Sequence, residues 1–413
     1  MKPRILLSML ALAVAGAAQA QTTVEYWSNS LSPKFDGVMK TLTAQFNASQ
    51  GEVKAVWVDV PWDSYQARVI AAVAGGNPPG LVNLTVPWMA SMAQQGMLQP
   101  LDAKVAGFKQ VYTPGALADV TYDGKLYGLP WYNQVAVLAY NKALFDQAGV
   151  KTPPRTTAET FAAARQIKQR TGVTGFIPKL NEEGITQVFL LEGLPLVQNG
   201  RAVFNSPAHV KLLEQYARAY KDGSIPPDVF SIKFENLIAH YGSGKVALLN
   251  TAPSALVRVK TDSPAIYAKT AVAPHPVGKA GVPPGNLFMW SVPKGYRNVD
   301  AAVALGRFLT NDASQLAFSR ATETTLASTR AALADPYFQS GANSGDPAAK
   351  GRATAADSGA TARTLVQVGL PDESAMIQRL AQALEEAVTG RKPVKQALDG
   401  AVAYWNERLA KQK

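Results

Sequence analysis

The chain has 413 residues, no cysteine, 47% hydrophobic and 17% charged residues, and a formal net charge of +11. Absence of thiols excludes a disulfide framework and thiolate metal ligation, and the apolar content is enough to bury a core spread over two lobes rather than leave a disordered chain. The basic residues are scattered, Arg391-Lys392 being the only adjacent pair, so no basic stripe exists to track phosphates and the charge reads as a solvated surface.

Residues 1–20 read as a secretory signal peptide: Lys2 and Arg4, an apolar run from Ile5 to Ala18, and the small-x-small end Ala18-Gln19-Ala20. The run is too short for a bilayer span, which needs about 18 to 20 residues. No cysteine follows the cleavage site, so no lipid anchor is expected on the mature N-terminus. Lys2 and Arg4 leave with the signal and lower the charge from +11 to +9. From Thr22 the pattern is βαβαβ: a strand over 23–27, a helix capped by Ser32 with Pro33 at its first position, a strand over 53–60, a helix over 62–74 stopped by Gly75-Gly76, and an apolar run over 80–86 leading into a short helix. Such alternation predicts an α/β fold on a largely parallel sheet. Ligands then lie at the carboxyl ends of strands, in the loops at 27–30, 61–65 and 87–88.

Further along, 122–130 reads as a hairpin turn leading to a long strand over 135–140, and Asn141 caps a helix that Gly149 ends. Thr156 with Glu159 is a capping box. Helices are expected over 207–221 and 233–241, a strand over 246–250, a Pro/Gly-rich crossover over 271–285, a strand over 287–292, helices between 299 and 320, a loop or weak helix over 341–361, and closing helices over 372–389 and 393–411. Other motifs dissolve on inspection. Gly242-Ser-Gly244 follows a helix and precedes a strand, the reverse of a dinucleotide loop. His209, His240 and His275 have no metal-ligand spacing, and no Gly-x-Ser-x-Gly elbow occurs. No cofactor and no metal is expected, and no nucleic acid.

The order of motifs resembles the extracellular solute-binding proteins (family 1) of bacterial ABC importers, the carbohydrate-binding group that includes maltose-binding protein. The segments carrying it are Ala72-Val-Ala-Gly-Gly-Asn-Pro-Pro-Gly-Leu-Val82, Gln95-Gly-Met-Leu-Gln-Pro-Leu-Asp102, Asp123-Gly-Lys-Leu-Tyr-Gly-Leu-Pro130 with Ala139-Tyr-Asn-Lys-Ala-Leu-Phe145, Gly242-Ser-Gly-Lys-Val-Ala-Leu248, and Val292-Pro-Lys-Gly-Tyr-Arg-Asn298. The resemblance implies a two-lobe α/β periplasmic binding protein fold of type II. Its N-terminal lobe would comprise 21–131 and 277–322, its C-terminal lobe 132–270 and 329–413, with hinge segments at 132–135, 271–276 and 322–328. It also implies a periplasmic, monomeric, non-enzymatic carrier that captures a small carbohydrate between the lobes and delivers it to permease subunits in the membrane.

A sugar offers hydroxyl rims and apolar C–H faces, so its site needs aromatic platforms beside amides and carboxylates. Topology and resemblance together nominate Trp27 and Asn29 after the first strand, Tyr65 and Trp88 after the second and third, Trp131, Tyr132 and Asn133 at the first hinge, Glu182 in a loop of the second lobe, and Trp290 beside the Val292-Pro-Lys-Gly segment. After Asn250 the run Thr251-Ala252-Pro253-Ser254 stands where the family often has an aromatic, which argues against maltose-like stacking there. Alternatives are the same role for an anionic polyol such as a glycerophosphodiester, for which Arg320 is the one nearby cation, and, from a different class, a secreted glycoside hydrolase with paired carboxylates.

Overall fold

The structure is a computed structural model that describes residues 21–181, 184–232 and 234–411. The expected signal segment and Glu182 lie outside the described residues. Two sheets organise the chain. The first holds β1 (Thr22–Asn29), β2 (Val53–Val60), β3 (Leu81–Thr85), β4 (Leu129–Val135), β9 (Gly285–Ser291) and β10 (Leu326–Ala327), in the order β10-β4-β9-β3-β1-β2. The second holds β5 (Val137–Asn141), β6 (Thr174–Phe176), β7 (Val246–Thr251) and β8 (Thr270–Pro274), in the order β8-β5-β7-β6.

Parallel pairing is confined to β2-β1-β3 and to β6-β7; β9, β4 and β10, and the β7-β5 and β5-β8 pairs, are antiparallel. The sheets are therefore mixed, because strands that return from the other lobe must enter in the opposite direction. The strand expected over 135–140 is β5 from Val137 onward, while Val135 ends β4 in the other sheet, with only Ala136 between them. Its N–H donates to the Pro284 carbonyl at 3.0 Å. Alternation alone cannot reveal a strand that changes sheets, since both halves keep the same apolar period.

Two further expectations change, and a third, left between loop and weak helix, resolves as helix. The Pro/Gly-rich crossover begins with a real strand, β8, paired to β5 along its whole length. The 341–361 stretch contains a helix, Pro347–Gly359, capped by the Asp346 carboxylate accepting from the Ala349 N–H at 3.0 Å. Its small side chains suit close packing more than exposure. The first helix starts at Asp36 rather than at Pro33, because the Asp59 carboxylate holds the Leu31 and Ser32 N–H groups at 3.1 Å in a separate loop. Elsewhere local chemistry behaves as read. Asn141 Oδ1 accepts from the Ala143 N–H, and Gly149 closes that helix in the left-handed region at φ 73°. Thr156 accepts from the Glu159 N–H, while the Glu159 carboxylate returns to Arg155 rather than to Thr156.

Each sheet has its own core. One is built from Val24, Tyr26, Leu81, Leu84, Trp131 and Trp290 with the helices around them, the other from Leu138, Ile167, Phe189, Tyr241, Leu248 and Trp405. The last helices, Glu373–Val388 and Val394–Ala410, belong to the second core. Between the Pro347–Gly359 helix and these runs an extended strap, 360–372, in which Ala362 and Leu370 join the second core and Val366 packs on the first. Among the described residues no helix is long and apolar enough to cross a membrane.

Candidate functional site

The sheets meet edge to edge. At the first lobe's edge come the ends of β1, β2 and β3, the start of β9 and the end of β4, since Phe288 pairs with Thr85 and Leu287 with Asn133. At the second lobe's edge come the start of β5 and the ends of β7 and β8, since Val137 pairs with both Thr251 and Pro274. The Ile177–Asn181 stretch after β6 lies at the same end.

The first edge is aromatic. Trp62 opens the helix Trp62–Ala74 directly after β2 and is 43% exposed. Its ring lies 4.6 Å from that of Trp88 and 6.4 Å from Phe288; Phe288 in turn stacks on Tyr132 at 4.6 Å and Tyr132 on Phe318 at 5.2 Å. Tyr65 stacks behind Trp88 at 5.8 Å. Each such contact contributes roughly 0.5–1.5 kcal/mol beyond burial, so the row is a stiff backing that presents one open ring, Trp62. Among the described residues the Tyr132 hydroxyl has no hydrogen-bond partner, and burial pushes its pKa far up, so it stays a neutral donor.

Polar groups stand beside the row. Asn29 Nδ2 donates to Asn83 Oδ1 at 3.1 Å, Ser28 Oγ to Asp59 at 2.5 Å and Trp57 Nε1 to Ser28 Oγ at 2.8 Å. Asn133 Oδ1 accepts from the Asn286 N–H at 3.0 Å and its amide lies over Gly285, where a Cβ would come within 2.9 Å. The second edge is small and polar: Asn250 Oδ1 and Thr251 Oγ1 are buried without a partner, and a helix begins at Pro253 with Ala252, which has no capping oxygen, before it. At the crossover beyond β8, packing pushes the His275 pKa down to about 4, with the Lys179 charge acting in the same direction.

The nominated residues separate accordingly. Trp88, Tyr132 and Asn133 gather at the first edge with Asn29. Trp131 and Trp290 are 0% exposed, pack against one another with ring centres 4.7 Å apart and planes tilted by 38° inside the first core, and leave both indole N–H groups unpaired. Trp27 is packed beneath Arg68, which lies 5.3 Å from its ring, and donates its indole N–H to Glu25. Tyr65 is a buried tie, donating to the Trp27 carbonyl at 2.8 Å and accepting from the Asn83 N–H at 2.7 Å. Trp62 and Phe288 were not nominated. Trp62 carried a signal, a Trp directly after a strand end and a proline; Phe288 had none, because strand alternation does not say which lobe's edge a residue reaches.

Two surface hollows lie elsewhere. One of about 240 Å³ is lined by Ala239, Gly242, Arg258 and Asp262, at the far end of the Pro253–Asp262 helix. The other, about 400 Å³, is lined by Gly96, Gln99, Lys294 and Tyr296, and Tyr296 bonds the Thr23 carbonyl at the amino end of β1. Both are remote from the facing edges.

Two α/β lobes joined by several crossovers, with strand ends facing across a cleft, define a binding protein of the two-lobe type that closes on a ligand. The model of the bacterial extracellular solute-binding proteins matches residues 41–345, and the chain belongs to that family: it is a solute-binding component of an ABC importer, exported from the cytoplasm, and a binding protein rather than an enzyme. A candidate oligosaccharide periplasmic-binding protein from Synechococcus sp. MITs9220 superposes with a TM-score of 0.86 at 28% identity, over 94% of this chain and 99% of that one. The sugar-binding protein MalE from Xanthomonas citri shares the fold, with a TM-score of 0.81 at 23% identity over 95% of this chain and 98% of that one. By sequence, the sn-glycerol-3-phosphate-binding periplasmic protein of Rhizobium meliloti is 31% identical over 171 residues, 38% of this chain and 39% of that protein.

Proposed function

We propose that the ligand is a small neutral carbohydrate held between Trp62 on the first lobe and the Asn250–Thr251 edge of the second. The observation that carries this reading is the exposed Trp62 ring, backed by Trp88 and Phe288, with the buried and unpaired Asn250 Oδ1 and Thr251 Oγ1 at the end of β7 in the other lobe. The open ring takes the C–H face of a sugar, the Tyr132 hydroxyl and the Asn133 Nδ2 its first hydroxyls, and the second edge its remaining rim. The oligosaccharide assignment of the Synechococcus protein supports it. Glu182, expected near the same edge, remains a candidate contact. The same reading divides the lobes at the three hinge segments expected near 132–135, 271–276 and 322–328, makes the protein a monomer and starts the mature chain at Gln21, which intact mass measurement of the exported protein tests.

Thermal unfolding with maltose, maltotetraose and other neutral oligosaccharides tests the ligand. A sugar at about a hundred times its Kd adds about 2.7 kcal/mol to stability; no shift with any neutral sugar overturns the reading. One observation favours a second reading, an anionic polyol: Arg320 and Arg352 both lie 4.7 Å from the ring of Tyr337 near the third crossover, and the Rhizobium relative binds glycerol 3-phosphate. Arg320 is already paired with Asp335 at 3.0 Å, which makes this the weaker reading. Stabilisation by glycerol 3-phosphate, with none by neutral sugars, would establish it.

A further inference from the structure

The strap 360–372 lies at the crossovers and touches both lobes. On the first lobe it makes a short chain of bonds. The Gly115 N–H donates to the Ala360 carbonyl at 3.2 Å, the Gly285 N–H to the Arg363 carbonyl at 2.8 Å, the Leu287 N–H to Thr364 Oγ1 at 3.0 Å, and Gln94 Nε2 to the Gly369 carbonyl at 3.3 Å. At its centre is one carboxylate. Asp119, at the end of the helix Pro114–Asp119, accepts from Arg363 Nε at 2.6 Å through Oδ1 and from the Thr364 N–H at 2.7 Å through Oδ2. Its side chain is 1% exposed while that of Arg363 is 38% exposed. The other ion pairs among the described residues have both side chains more than a tenth exposed. Burial leaves the Asp119 carboxyl above the usual carboxylate range, with Arg363 and the Thr364 N–H drawing it only partway back.

On the other side the strap is anchored in the second lobe through Ala362 and Leu370. Two of the residues it grips belong to the first lobe's edge: Gly285 and Leu287 flank Asn286, whose N–H fixes Asn133, and Leu287 precedes Phe288. A rigid rotation of one lobe against the other at Ala136 must therefore strain or carry the strap. A buried carboxylate holding both a guanidinium and a backbone N–H has two discrete outcomes, made or broken, because partial separation leaves a desolvated charge unpaired.

We propose that Asp119 is a positioning residue: through Arg363 and Thr364 it latches the strap of the second lobe onto the first and sets the balance between the interlobe arrangements of the unliganded protein. The inference rests on the reading that the cleft takes its ligand by lobe closure, but its test needs no ligand. The chain has no cysteine, so Lys40→Cys on the first lobe and Lys221→Cys on the second, both exposed, give a clean pair for spin labels.

Interlobe distance distributions of the ligand-free protein are compared with and without Asp119→Asn, Arg363→Met, and both. The expected result is a redistribution between populations by on the order of tenfold in their ratio for each single variant, no larger in the double variant, and reversal towards wild type in Arg363→Lys. Distributions unchanged in all variants, even with a lowered melting temperature, overturn the proposal and leave the pair as a packing contact. Should Asp119→Asn fail to fold, the half-exposed Arg363 variants decide the question alone. Failure of every sugar to bind would bear on the ligand reading and leave this measurement standing.

Discussion

The two edges that face one another are built on opposite plans. The first lobe offers a wall of packed rings from β4, β9 and the helices that follow β2 and β3, held so tightly that only Trp62 is substantially exposed. The second offers Asn250, Thr251 and an uncapped helix start, with buried polar atoms left without partners. A ring face discriminates little in direction, whereas an unpaired amide or hydroxyl demands a specific donor or acceptor. On the proposed ligand reading, the contrast puts affinity mainly on the first lobe and selectivity mainly on the second.

The comparison breaks most visibly in the rings that look like ligand contacts but are core. Trp131→Ala should cost about 3–5 kcal/mol in denaturant unfolding, since it empties a fully buried site, while sugar affinity measured on the protein that remains folded changes little. Second is pH. Burial lowers the His209 pKa below its usual value and packing takes His275 to about 4. Both rings stay neutral when folded but take a proton when unfolded below about 6.5, so their contribution is intact above that pH and declines as pH falls towards 4. Unfolding measured from pH 7 to pH 4 should show a loss of at most a few kcal/mol, and His275→Gln should flatten it; an equally steep curve in that variant removes His275 from the account.

At the aromatic edge, Trp62→Ala should weaken binding of a stabilising sugar by about 1.5 kcal/mol, roughly tenfold in Kd, and lower unfolding stability by only about 1–2 kcal/mol, through the lost contacts with Trp88 and Phe288. Calorimetric titration showing full affinity would dismantle the stacking assignment. The smallest effect is at the opposite edge. Thr251→Val removes a buried hydroxyl that has no partner, so stability should hold or rise by up to about 1 kcal/mol. Affinity should fall about fivefold if that hydroxyl meets ligand; unchanged affinity would confine selectivity to Asn250.

Much of this architecture was legible in the chain. Asn141 and Gly149 bracket their helix because a side-chain oxygen and a left-handed glycine act locally. The alternation from Thr22 to Gln94 announces βαβαβ because period-2 and period-3.6 runs are physical properties of each segment. The sequence by itself thus determined the fold class and the βαβαβ order with which the chain begins. Tertiary structure decided what depends on partners distant in sequence: that Ala136 is where a continuous apolar run changes sheets, that Trp131 and Trp290 pack inside a core while Trp62 stands open, and that Asp119 is completed by Arg363. Burial and pairing are properties of the packed assembly, and a residue's identity states only what it can do once its neighbours are set.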